Sequence, residues 1–130
     1  MTGVIWFVQV VHYPLLALAG EEGFASLAAA HQRRTGWVVG PPMAVEGVTA
    51  VALLVWRPDG VPAAAVWAGV ALVAAIWIAT WAMAVPRHRE LARGWDPDAH
   101  RRLVAGNRLR TALWTARAGL VLGMVAAAAA

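Results

Sequence analysis

Cysteine is absent from this chain of 130 residues, and so is lysine, because all 11 basic residues are arginine. Without cysteine there are no disulfides, no thiolate metal ligands and no CxxC redox chemistry. Charge of either sign is scarce. Only 14% of the residues are charged, against about 25% in an ordinary soluble domain. No Walker loop, GxSxG or HExxH sequence occurs, which removes the motif-bearing nucleotide, serine-hydrolase and zinc-protease chemistries. The first apolar segment has no Lys or Arg ahead of it, so it lacks the basic n-region of a signal peptide. Glu21 and Glu22 follow its small residues at once, and it reads as a retained helix.

What is present is apolar: 61% of the chain is hydrophobic and the mean hydropathy is +0.61. The apolar runs are Val4 to Gly20, Trp37 to Trp56, Val61 to Val85 and Leu109 to Ala130. Each is about 17–25 residues long, enough for one membrane crossing. The sequence predicts an all-α polytopic membrane protein, one domain over residues 1–130, built as a four-transmembrane-helix up-down bundle. Its helices are expected at about 3–20, 36–57, 61–85 and 97–127.

The net charge of +4 and the pI near 11.4 do not point to nucleic acid, because the arginines are placed by topology. Arg33 and Arg34 lie in the first connection; Arg87, Arg89, Arg93, Arg101 and Arg102 lie in the third; the second has Arg57 alone. By the positive-inside rule the first and third connections are cytoplasmic and both termini lie on the other side of the cell inner membrane. Membrane lipid is the expected surround, with a weak attraction to anionic headgroups.

Polar residues inside the apolar runs are the candidates for function. Gln9, His12 and Tyr13 share a face of helix 1 at i, i+3 and i+4. Pro14 frees the carbonyl of Val10 beside them. Residues 24–34 are helix-compatible, either an amphipathic piece or the start of helix 2. Pro41 and Pro42 are expected to bend helix 2 or delay its regular start, and Glu46 and Thr49 then share a face. On helix 3, Trp77 and Trp81 form an i, i+4 pair that either walls a cavity beside Thr80 or packs between helices. Asp96 and Pro97 read as N-cap and first residue of helix 4. Along that helix Asn107, Arg110, Thr111, Trp114 and Arg117 fall on one face.

Counted from cytoplasmic boundaries near Gly20, Trp37 and Leu109, the ionisable residues His12, Glu46 and Arg117 come out at one level, roughly 12–14 Å deep. Charge at that depth is expensive and marks a functional site or a structural pin. One reading is a polar pocket with aromatic walls. The other is an interhelical pin in which Glu46 and Arg117 pair and His12 and Gln9 complete the network. A metal on His12 and Glu46 lacks a third ligand, and a b-type haem lacks a second deep histidine. His31, His88 and His100 fall at or beyond the cytoplasmic interface and read as solvated or headgroup-facing. No metal and no cofactor is expected.

The stretch LVAGNRLRTALWTARAGL (103–120), preceded by Pro86-Arg87-His88 and Leu91, resembles the last third of the anthrone-oxygenase-like family of small four-helix integral membrane proteins. In that family a proline ends helix 3 and an Asn-x-x-Arg element opens helix 4, positions that Pro86, Asn107 and Arg110 match here. Most members are uncharacterised, and a few are tied to oxidation of an anthrone to an anthraquinone by O2 without metal or organic cofactor. The resemblance implies an apolar or aromatic substrate entering from the bilayer. His12 or Glu46 is then the general base and Arg117 with Arg110 stabilises the enolate or phenolate. Gln9, Tyr13, Thr49, Trp77, Trp81, Asn107, Arg110 and Trp114 would hold the substrate. The alternative class is a non-catalytic accessory subunit or lipid- or quinone-binding protein of a larger membrane complex. Trp6, Trp67 and the Arg-rich third connection would then face the partner. A homo-oligomer is open to either class.

Overall fold

The computed structural model describes all 130 residues, and they form four helices. Helix α1 runs over Thr2–Leu16, α2 over Phe24–Val55, α3 over Ala63–Leu91 and α4 over Pro97–Ala128. The last three are long and apolar enough to cross a membrane, and α1 is a shorter apolar helix. Short connections alternate the helix directions. The first and third connections meet at one end, where Phe24 packs edge-on against Trp95 at 4.9 Å. At the other end the second connection folds onto the end of α4. Gly60 sits there at φ +78, and a Cβ on it would come within 2.4 Å of the Ala127 carbonyl oxygen, so only glycine fits.

Helix α4 is the shared element, packing on both α1 and α3, while α3 also packs on α2. Its stripe of Asn107, Arg110, Thr111, Trp114 and Arg117 is buried throughout. Three apolar clusters run along the bundle. Tyr13, Leu16, Phe24, Ala28, Ala84, Leu91, Ala99 and Leu103 fill the end with two connections. Ile5, Met43, Ile76 and Trp114 hold the middle, and Val61, Val66 and Met124 the other end. Only 24 of 130 residues are buried, so most apolar side chains face outward.

Two expectations about prolines are corrected. Pro41 and Pro42 neither delay nor break α2, which starts well before them at Phe24. The carbonyls they leave without a donor belong to Trp37 and Val38, both exposed. The burial of Phe24 and Ala28 on one side and Met43 and Ala50 on the other holds the helix across them. Residues 24–34 are thus the start of α2. Pro86 does not end α3, because the helix widens into a π-turn at Thr80–Ala84 and continues to the buried Leu91. Helix α1 has the same device, a π-turn at Val8–His12 just ahead of Pro14. A proline ring crowds the helical carbonyl four residues back, and in α1 and α3 one wider turn relieves the clash. The N-terminus of α4 is as expected: Asp96 caps it, accepting from the backbone N–H of Asp98 at 2.8 Å and Ala99 at 3.0 Å.

Candidate functional site

The polar residues form two groups, not one. At the end with two connections, the π-turn of α1 presents His12 and Tyr13 to the other three helices. The His12 ring stacks on His31 of α2 at 4.2 Å with 18° between the planes. His31 lies 5.3 Å from the ring of His88 on α3, and His88 Nε2 is 3.1 Å from the Tyr13 hydroxyl. His100 of α4 donates from Nε2 to the Tyr13 carbonyl at 2.9 Å. All four histidines of the chain therefore gather around one turn of α1.

Deeper along α4 the group continues as a chain of donors. The Asn107 amide donates to Gln9 Oε1 at 2.9 Å, and Arg110 donates to Asn107 Oδ1 at 3.2 Å. The Arg110 guanidinium lies 5.3 Å from the Trp114 ring centroid. Arg110 is buried, takes part in none of the ion pairs, and its Nε has no partner. It borders a mostly apolar cavity of about 110 Å³, whose polar wall also includes Tyr13, His31, Thr35, Thr80 and His88. Both π-turns contribute to this wall, Val8 from one and Thr80 and Ala84 from the other.

The second group joins the first at Trp114. Glu46 of α2 accepts from Trp114 Nε1 at 2.9 Å and lies 3.9 Å from Arg117 Nε. Arg117 also donates to the Gly69 carbonyl of α3 at 3.0 Å. This ties α2, α3 and α4 together beside an open recess of about 250 Å³ bordered by Thr2, Glu46, Thr49, Trp114 and Arg117.

The expected meeting of His12 with Glu46 and Arg117 does not occur. His12 stacks on His31, and His31 lies fifteen residues before Glu46 on the same helix, a rise of about 22 Å. The depth count failed because it set Gly20 of α1 level with Trp37 and Leu109, whereas the bonds of α1 set Gln9 level with Asn107. Helix α1 therefore lies beside residues 100–114 of α4, as its bonds to His100, Asn107 and the Trp114 carbonyl record. The reading of His31, His88 and His100 as solvated groups is corrected with it.

The aromatic wall is also corrected. Trp81 is 62% exposed and points away from the bundle. Trp77 is partly exposed and lies against Gly47, where a Cβ would stand 3.3 Å from its ring, which is packing between α2 and α3. Thr49 is exposed and its hydroxyl turns back on the Val45 and Glu46 carbonyls. Gln9, Tyr13, Asn107, Arg110 and Trp114 do converge. Thr80 borders the cavity as expected, and the residues that sequence reasoning passed over are His31, Gln32, Thr35 and His88. The helix-compatible run of 24–34 carried the signal, since extending it unbroken into α2 places His31 and Thr35 one turn apart on an inner face.

No three His, Asp or Glu side chains converge on a point that could hold a metal ion, and the stacked His12 and His31 rings leave no gap for a haem between them. No family model, curated protein or solved structure matches the chain. What the fold defines is an all-helical, four-helix protein with three helices of membrane-crossing length and apolarity.

Proposed function

We propose that this chain is a multi-pass membrane protein that binds a small aromatic molecule carrying an acidic oxygen, and takes a proton from it, in the cavity beside Arg110. Lipid is the natural surround for an outer surface that exposes Leu18, Trp37, Val48, Trp56, Trp67, Ile78 and Leu122. The first and third connections share one end, where Arg93 lies in the third connection and Arg33, Arg34, Arg87, Arg89, Arg101 and Arg102 lie on the helix segments. That end faces the cytoplasm by the positive-inside rule.

The observation that carries the reading is Arg110: a buried cation with an unpartnered Nε and no carboxylate, on the wall of an apolar cavity. A buried charge without a partner is costly, and a phenolate or enolate oxygen in the cavity supplies the missing anion. His31 and His88, on the same wall, are the proton acceptors. The roles first assigned to His12, Glu46 and Arg117 pass to His31, His88 and Arg110. The volume of about 110 Å³ is smaller than the engineered cavity of about 150 Å³ that accommodates benzene, so one ring enters with part of it in the open side. Further rings or a tail leave through the open side. The resemblance to the anthrone-oxygenase-like family adds one step, reaction of the bound anion with O2.

The single-ring volume also favours a second reading, a non-catalytic binder of a quinol headgroup that serves a larger membrane complex. Purified protein supplied with anthrone and O2 separates the two. Formation of anthraquinone in the wild type, abolished in Arg110→Gln, establishes the oxygenase. Retention of a quinol without any O2-dependent product establishes the binder. Retention of neither phenolic nor quinol ligands overturns both.

A further inference from the structure

Two cavities meet at His31. Its ring borders the inner cavity with Arg110, Tyr13 and His88. It also borders a second, more open recess of about 190 Å³ beside the first connection, shared with His12, Leu15, Leu16, Ala19 and Leu27. The Thr35 hydroxyl stands 3.2 Å from His31 Nδ1 on the inner side. His12 covers the other face of the ring at 4.2 Å, and its own Nε2 is buried without a hydrogen-bond partner. The titratable or charged groups around His31 are His12 and Tyr13 of α1, His88 of α3 and Arg110 of α4. No carboxylate is among them, so a proton arriving on this ring is not held there by an ion pair.

We infer that His31 is the proton-transfer residue of the site, carrying a proton between the inner cavity and the outer recess. The inference rests on the proposed function and names how that site is relieved of the proton it removes. An imidazole suits the task because it has two nitrogens, one able to accept while the other donates. The O–H bond of the bound phenol breaks and its electron pair stays on oxygen, opposite Arg110. The proton goes to a His31 nitrogen. It leaves from the other nitrogen to water in the outer recess, and His31 returns to its neutral form.

The test uses p-nitrophenol, whose phenolate absorbs visible light and whose phenol does not. Protein in lipid nanodiscs is mixed with it rapidly while a pH indicator records proton release. The wild type forms bound phenolate and releases the proton together. In His31→Phe, which keeps an aromatic ring against His12, proton release from the bound probe slows by at least about tenfold. Added imidazole restores the rate in proportion to its concentration. His31→Gln gives the same pattern if the phenylalanine variant does not fold. A variant that keeps the wild-type rate, or that slows without imidazole rescue at unchanged affinity, overturns the relay and leaves the binding site standing. Absence of bound phenolate in the wild type overturns the binding site and the relay together.

Discussion

Arg110 and Arg117 lie two turns apart on the same buried face of α4, and they are held in opposite ways. Arg117 is fully engaged, with Glu46 on α2 and the Gly69 carbonyl on α3. Arg110 has the amide of Asn107, the face of Trp114 and the Tyr13 side chain beside it, and no carboxylate. The first arrangement fixes which helix faces meet. The second leaves a cation without a counter-charge on the wall of an apolar cavity. Residue type, burial and helix are the same, so burial of an arginine does not by itself mark a site. What marks it is the missing counter-charge.

The sharpest way to break this comparison is to remove each arginine in turn and measure unfolding in detergent micelles. Arg117→Leu strips the Gly69 bond and leaves Glu46 without its cation, at a cost of about 2–3 kcal/mol. Arg110→Leu removes a buried charge that nothing neutralises, so stability stays level or rises. Equal losses in the two variants contradict the distinction. Asn107→Ala comes next in size. It leaves the Gln9 carbonyl and an Arg110 N–H without partners, and about 1–2 kcal/mol is lost. The same variant loosens Arg110 and weakens binding of p-nitrophenol, whereas a purely structural Asn107 changes stability alone.

The smallest effect is at the cap of α4, away from both arginines. The Asp96 carboxylate is held below the usual aspartate range, first by the backbone N–H of Ala99 and also by that of Asp98. A depressed folded-state pKa stabilises above the unfolded-state value and is lost as pH falls through the folded-state value. Asp96→Ala therefore lowers the melting temperature slightly at neutral pH, and the gap from the wild type closes in acid. A gap that persists in acid shows that the side chain acts by packing.

Much of this arrangement is legible in the residues. The four helices, the inner face of α4 and the Asp96-Pro97 start follow from periodicity and capping chemistry, because those signals are local. The relative depth of the helices is not local. Nothing within Val4 to Gly20 states that α1 lies against residues 100–114 of α4 and not further along it. That offset is set by contacts such as Gln9 with Asn107 and Tyr13 with His100. A depth count along each helix inherits any error in its assumed boundary, and here it joined His12 to the wrong charges. The prolines misled for a related reason. Pro41 and Pro42 were read as bending or delaying helix 2 and Pro86 as ending helix 3, while packing on both sides and a widened turn carry the helices through them.

The central claim is that Arg110 awaits an anionic oxygen, and equilibrium titration of p-nitrophenol tests it most directly. Wild type, Arg110→Gln and Glu46→Gln are titrated in nanodiscs while the visible phenolate band is followed. The account predicts a larger phenolate fraction in the bound probe than in free solution for the wild type and for Glu46→Gln. It predicts a loss of at least about tenfold in affinity, worth about 1.4 kcal/mol, for Arg110→Gln. Equal affinity and equal phenolate fraction in wild type and Arg110→Gln contradict it.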